Sequence, residues 1–278
     1  MMHTKLIKKA QLWRNRSDHE NTDINREWLS QHVVAFEEIK LNNLPWVFSH
    51  IPKTAGTSLE SYLLQAFSFK DVLHVNAPDL NNLPQCVYLK NKYARFITGH
   101  HPIHGMLYQL LADEKIVHLS MMREPVARVI SYYNYIASRE YHALHKQIKD
   151  LGFDDFLKQD ELVELNNGQA RRMAGLLHSG EKIKDNDLYF KAKYVVDHCF
   201  SLVGVTECFK QFHQLLAKKC GVAFHHLPPI NRSKIKLQLA DLSQQQLKTI
   251  TQRNKVDIQL YQYVKSKFLE YLKEEVIE

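Results

Sequence analysis

The sequence has no long apolar run. Its first stretch, "MMHTKLIKKAQLWRNRSDHENTD", is broken by charges throughout, whereas a membrane anchor needs about 20 consecutive apolar residues and a secretory leader a continuous apolar centre. Neither is expected, which points to a cytoplasmic chain without a transmembrane segment. Cysteine is scarce. Cys86, Cys199, Cys208 and Cys220 form no CxxC pair and lack the density of a disulfide framework, so they are expected as reduced, mostly buried thiols. Internal repeats and low-complexity tracts are also missing.

What is present is ordinary globular material. The 278 residues are 45% hydrophobic and 24% charged, enough for a sizeable core. The length suits one extended α/β domain, expected over 41–278 after a polar lead-in over 1–40 that is partly helical or flexible. In that lead-in Leu6, Ala10 and Trp13 among Lys5, Lys8, Lys9 and Arg14 fit either a weak amphipathic surface helix or a frayed basic tail. A formal charge of +7 beside sixteen histidines favours anionic partners without choosing among them.

Short apolar runs alternate with helical patterns. "LPWVFSHI", "VLHVNA" (72–77), "RFITGH" (95–100), "KIVHLSMM" (115–122) and "FSLVGVTE" (200–207) read as strands. "TSLESYLLQAF" and "REPVARVISYYNYIAS" read as helices, the second with Pro125 in its first turn. Residues 153–177 read as helical and 178–187 as solvated connection. "ECFKQFHQLLAKKCG" is a helix closed by Gly221, and Ser243 with Gln246 is a capping box for a long C-terminal helix. The expected fold is a P-loop-like central parallel sheet with helices on both faces.

The strand, turn and helix unit occurs twice, and both turns carry chemistry. In "PKTAGTS", Lys53 leads and Thr54, Ala55, Gly56, Thr57 and Ser58 bring the chain into a helix. Small residues admit an anion to the backbone amides, and the helix dipole favours negative charge there. Walker A places its lysine at the other end. The second unit ends its strand in Arg123, where a magnesium-dependent phosphoryl-transfer protein needs an acidic residue. Arg123 as a fork and Ser131, eight residues on, can grip a further phosphate; the alternative has Arg123 paired with Glu124 or Asp113 and Ser131 facing solvent.

"HIPKTAGTSL" followed by "REPVARVISYY" resembles the two nucleotide signatures of sulfotransferases that use 3'-phosphoadenosine 5'-phosphosulfate, nearest to the branch that includes uronyl 2-O-sulfotransferases and bacterial members. The likeness continues in patches through "TGHHP", "NNGQARRMAG", "VGVTE", "INRSK" and "NKVDIQLYQYV" over roughly residues 45 to 265. It implies that Lys53 to Ser58 bind the 5'-phosphosulfate and that Arg123 and Ser131 hold the 3'-phosphate, with Arg232 and Ser233 closing over that end. It also implies a hydroxyl acceptor, a saccharide or glycolipid; because no membrane anchor is expected, the expected setting is a bacterial cytoplasm.

Such a transfer needs a stabiliser for the leaving oxygen, assigned to Lys53, and a base for the hydroxyl. His100 in "TGHHP" matches the catalytic histidine of that branch; His101 and Glu60 are the reserves. By resemblance Asn167, Gln169 and Arg172, with His101, border the acceptor, although a plain helix surface is the other reading of that segment. No zinc-ligand pattern is formed by His100, His101, His104, His142 and His145, so no metal is expected. Two rivals remain: a nucleotide-dependent kinase with an aberrant loop, and a non-catalytic basic module for acidic glycans. Nothing singles out nucleic acid as a partner.

Overall fold

A computed structural model describes residues 26–39, 44–74, 95–100, 111, 114–177, 182–223, 225 and 237–277. Among the described residues five strands form one sheet: β1 (Trp46–Ser49), β2 (Val72–His74), β3 (Phe96–Gly99), β4 (Val117–Met122) and β5 (Leu202–Val205). Their order is β2-β3-β1-β4-β5 and every pairing is parallel. β3, β4 and β5 are buried along their whole length, because a parallel sheet is covered on both faces and gives no side chain to water. The edge strand β2 is half-exposed.

Among the described residues, helices surround the sheet. They are α1 (26–32), α2 (Gly56–Leu63), α3 (Pro125–Ser138), α4 (His145–Ile148), α5 (Phe153–Leu157), α6 (Gly168–Met173), α7 (Asp185–His198), α8 (Phe209–Cys220), α9 (Gln244–Arg253) and α10 (Lys255–Ile277). The main core gathers the strand residues Val47, Phe48, Ile97 and Leu119 with Leu59 and Leu63 of α2, Phe212 of α8 and Phe268 of α10. A second cluster lies under α3, α5 and α9, where Val129, Ile136, Phe156 and Ile250 meet. Leu29, Phe36 and Ile39 also belong to the main core, and Val33 bridges to Ile116. The packed body thus reaches ahead of residue 41.

Three sequence expectations change. The helix expected over 153–177 is interrupted by the single 3-10 turn Val163–Leu165, and Asn167 takes a left-handed conformation at φ 51°. This break lets the Asn167 side chain accept from the amides of Val256 (2.9 Å) and Asp257 (3.2 Å) at the start of α10. The long C-terminal helix is likewise two, divided at Asn254, whose amide nitrogen donates to Leu165 O (3.1 Å) and whose oxygen accepts from Asn167 N (3.2 Å). Finally, α7 starts at Asp185 inside the stretch read as connection. Asp185 and Asp187 suit the positive end of its dipole, while Leu188, Ala192, Val195 and Val196 supply its buried stripe.

The Ser243 and Gln246 capping box is formed, with reciprocal bonds of 3.2 and 2.9 Å, and Gly221 closes α8 at φ 65°. Cys199, Cys208 and Cys220 are buried free thiols; Cys86 lies outside the described residues. Among the described residues no helix is long and apolar enough to cross a membrane.

Candidate active site

The strand order locates a crevice. From β1 the chain leaves towards β2 and β3, whereas from β4 it leaves towards β5, and these two neighbouring strands are paired directly. Where adjacent strands send their connections in opposite directions, a gap opens beyond their carboxyl ends. Both turns singled out in the sequence lie there.

The first turn has a backbone geometry suited to an anion. Lys53 (φ 71°) and Ala55 (φ 60°) are both left-handed, a conformation that costs a non-glycine residue about 1 kcal/mol or more and that turns successive amides to one side. Ala55, the N-cap of α2, provides no side-chain cap. Ser58 and Leu59 return their amides to Ala55 O at 3.1 and 3.4 Å, and the earliest amides of the helix have no intrahelical acceptor. Thr57 is exposed and Ser58 half-buried. Thr54, by contrast, is buried and donates its hydroxyl inward to Ile51 O at 2.8 Å, so it shapes the turn. At Gly56 a Cβ would stand 2.0 Å from Cδ2 of His50; only glycine lets α2 begin against that imidazole.

Cations close the other side. Arg123 Nη1 donates to Lys53 O at 3.2 Å, and Arg128 Nε donates to Pro52 O at 3.1 Å. Of the two alternative partners of Arg123, Asp113 lies outside the described residues, and the Glu124 carboxylate accepts from Val126 N (3.1 Å) and Ala127 N (2.7 Å) and caps α3. Ser131 is half-buried on the second turn of α3. The Lys53 ammonium lies 3.9 Å from the ring centroid of Tyr135. Burial first, then the charges of Arg123, Arg139 and Arg128, push its pKa down to about 8, which leaves it protonated at neutral pH but ready to lose a proton.

His100 leaves the end of β3. Its Nδ1 lies 3.1 Å from His50 O. A carbonyl only accepts, so Nδ1 carries the hydrogen and Nε2 keeps a lone pair. Part of His100 reaches solvent, yet loss of hydration in the surrounding protein, followed by the neighbouring His50, pushes its pKa down to about 4. The ring is neutral at physiological pH. His50 is buried, with its ring centroid 4.2 Å from that of His100, and the Glu60 carboxylate lies 3.6 Å from His50 Nδ1 and 3.0 Å from His74 Nδ1. Burial works to raise the Glu60 pKa, but the hydrogen bond and charge of His50, with His74, overcome it and hold the group below its ordinary value.

The "NNGQARRMAG" segment departs from expectation. Asn167 and Gln169, expected at the acceptor, are buried. Gln169 holds the backbone of Arg123 by two bonds of 2.9 Å, accepting from its N and donating to its O, and Asn167 caps α10. Buried amides must be hydrogen-bonded, and here the chain itself satisfies them. Arg172 is half-buried and reaches His100 O and the Glu164 carboxylate. His101, Arg232 and Ser233 lie outside the described residues. Sequence reasoning missed Tyr135, Arg128 and Glu164. Arg128 and Tyr135 stand three before and four after Ser131 on α3, a helical spacing that signals a shared face. Among the described residues, no group of three or more histidines, cysteines and carboxylates is arranged to hold a metal.

Residues 43–264 match the sequence model described as "Sulfotransferase family". The chain belongs to the sulfotransferase family. No curated protein matches it. The match runs from just before β1 to within α10, so the sulfotransferase region takes in both turns, the His100 strand and the helix junction at Asn254. The sulfotransferase is accordingly an enzyme of sulfuryl transfer, on the α/β fold described above.

Proposed function

We propose that the donor is 3'-phosphoadenosine 5'-phosphosulfate and the acceptor a hydroxyl group, on a saccharide or glycolipid. The observation that carries this reading is the meeting of the Lys53 and Arg123 turns at one crevice, with Arg123 Nη1 bonded to Lys53 O at 3.2 Å. A doubly anionic nucleotide suits such a pair. The fit is supported by the uncapped first turn of α2, the left-handed Lys53 and Ala55, and the commitment of Glu124 to its helix.

The backbone amides of residues 53–58 are assigned to the 5' end, and Arg123 with Ser131 to the 3'-phosphate. When bound, the donor supplies an activated sulfuryl group whose bond to a phosphate oxygen breaks as a bond to the acceptor oxygen forms. His100 Nε2 takes the hydroxyl proton. Lys53 faces the phosphate oxygen that retains the bonding electrons, and as an ammonium with pKa about 8 it neutralises or protonates that oxygen. This reading asks for no metal, because a sulfuryl group carries less charge than a phosphoryl.

Adenosine 3',5'-bisphosphate tests the reading. At a hundredfold excess over Kd a ligand stabilises the folded state by about 2.7 kcal/mol, so melting should rise by several degrees without magnesium. A flat melting curve at saturating ligand would remove the donor assignment, and stabilisation by ATP only with magnesium would favour a kinase.

A further inference from the structure

Glu164 lies beneath the crevice on the turn Val163–Leu165, buried between α5 and α6. Two guanidiniums share its carboxylate. Arg128 Nη2 donates to Oε2 and Nη1 to the Glu164 carbonyl (3.2 Å), while Arg172 donates from Nε (2.9 Å) and Nη2 to Oε1. Each arginine then directs one more donor at a backbone carbonyl of the site. Arg128 Nε reaches Pro52 O, one residue before Lys53; Arg172 Nη1 reaches the carbonyl of His100 itself. Gly168 makes the room, because a Cβ there would stand 2.9 Å from Glu164 Oε2 and 3.0 Å from Arg128 Nη1.

A buried ionic cluster is a poor device for stability alone, since apolar side chains of similar volume hold a core as well or better. Its distinct property is direction: a planar guanidinium fixed by one carboxylate presents its remaining donor along one line. We infer that Glu164 is a positioning residue which, through Arg128 and Arg172, holds the Lys53 loop and the His100 backbone in register across the crevice. This rests on the roles given above to Lys53 and His100. The carboxylate also tempers the local field. Facing Lys53 are Arg123 from the end of β4, Arg128, Tyr135 and Arg139 from or just after α3, and His142 from the loop beyond. Loss of the Glu164 charge removes the carboxylate paired directly with Arg128 and leaves it only the more indirect interaction with Asp257.

The experiment compares full-length wild type, E164Q and R172Q. Binding of adenosine 3',5'-bisphosphate is measured by calorimetry, sulfuryl transfer to a hydroxyl acceptor used by wild type is measured at saturating donor, and the pH midpoint of Lys53 acylation by acetic anhydride is read by peptide mass. E164Q is expected to keep nucleotide binding, to lose about tenfold or more in turnover, as displaced reacting groups do, and to shift the Lys53 midpoint to lower pH. R172Q leaves the Arg128 and Glu164 pair in place; it is expected to lose turnover with the acceptor KM and the Lys53 midpoint unchanged. Folded E164Q with wild-type turnover and midpoint overturns the inference. So does R172Q that raises the acceptor KM at constant kcat, which would make Arg172 a substrate contact, and R172Q decides alone if E164Q does not fold. Wild type that neither binds the bisphosphate nor transfers sulfate defeats the active-site reading itself, whereas an active wild type with indifferent variants defeats only the role of Glu164.

Discussion

The Lys53 ammonium rests on the face of Tyr135, 3.9 Å from its centroid. A lysine whose stem leaves a left-handed backbone has many rotamers, and the ring quadrupole selects one of them. Such a contact is worth about 0.5–2 kcal/mol. Tyr135→Leu is therefore expected to lower kcat by a few-fold to about thirtyfold, while Tyr135→Phe retains most activity. Equal kcat in Tyr135→Leu and wild type would show that the ring does not orient the ammonium.

The depressed Lys53 pKa has a sign that can be read. Below about pH 8 the folded enzyme carries the ammonium, and above it the amine. Transfer at saturating substrate is expected to decline as pH rises through about 8, and Lys53→Ala to abolish transfer while the far-UV spectrum is unchanged. Stability moves the other way. Between about 8 and the ordinary lysine value the unfolded chain binds the extra proton, so stability rises with pH there. Denaturant titrations of Lys53→Met should lack that rise.

His100→Ala is expected to reduce turnover by about 10²- to 10⁴-fold, the usual contribution of a general base, with little change in nucleotide affinity. Because the His100 pKa lies near 4, the loss of turnover that follows protonation of the base should appear only in acid, well below the Lys53 limb. If His101→Ala rather than His100→Ala carried the loss, the base would be the next residue.

Gly56→Ala puts a methyl group 2.0 Å from the His50 ring. The imidazole must move, and the backbone carbonyl of the same residue accepts from His100 Nδ1. Overpacking of this kind costs about 1–3 kcal/mol. The expected result is a lower melting temperature together with weakened binding of adenosine 3',5'-bisphosphate; unchanged binding would place the anion elsewhere.

The strands and the two turns were legible because each depends on contiguous residues. "LPWVFSHI" into "PKTAGTS" states a buried strand, a small-residue turn and a helix start within one stretch, and the family match over 43–264 takes in that unit. The helix breaks were not legible. Residues 153–177 have helical periodicity, but Asn167 leaves it to cap a helix nearly ninety positions later, a gain visible only in three dimensions. Gln169 illustrates the same limit. Its amide looked ready for a sugar hydroxyl, and instead it holds the main chain of Arg123. Local pattern reports which residues can bond; which partner they meet is settled by packing between distant segments.

Asp257 accepts from the amides of Gln169 (3.1 Å) and Ala170 (2.7 Å), and Gln169 in turn grips Arg123. The final helix, although it supplies no group to the reacting atoms, is thereby moored to the arginine at the end of β4. A polypeptide cropped before Lys255 would retain strands β1 to β5 yet leave that arginine on a loosened tether. Trimming the tail for crystallisation or fusion would thus act as an enzymatic lesion well before it exposed the sheet.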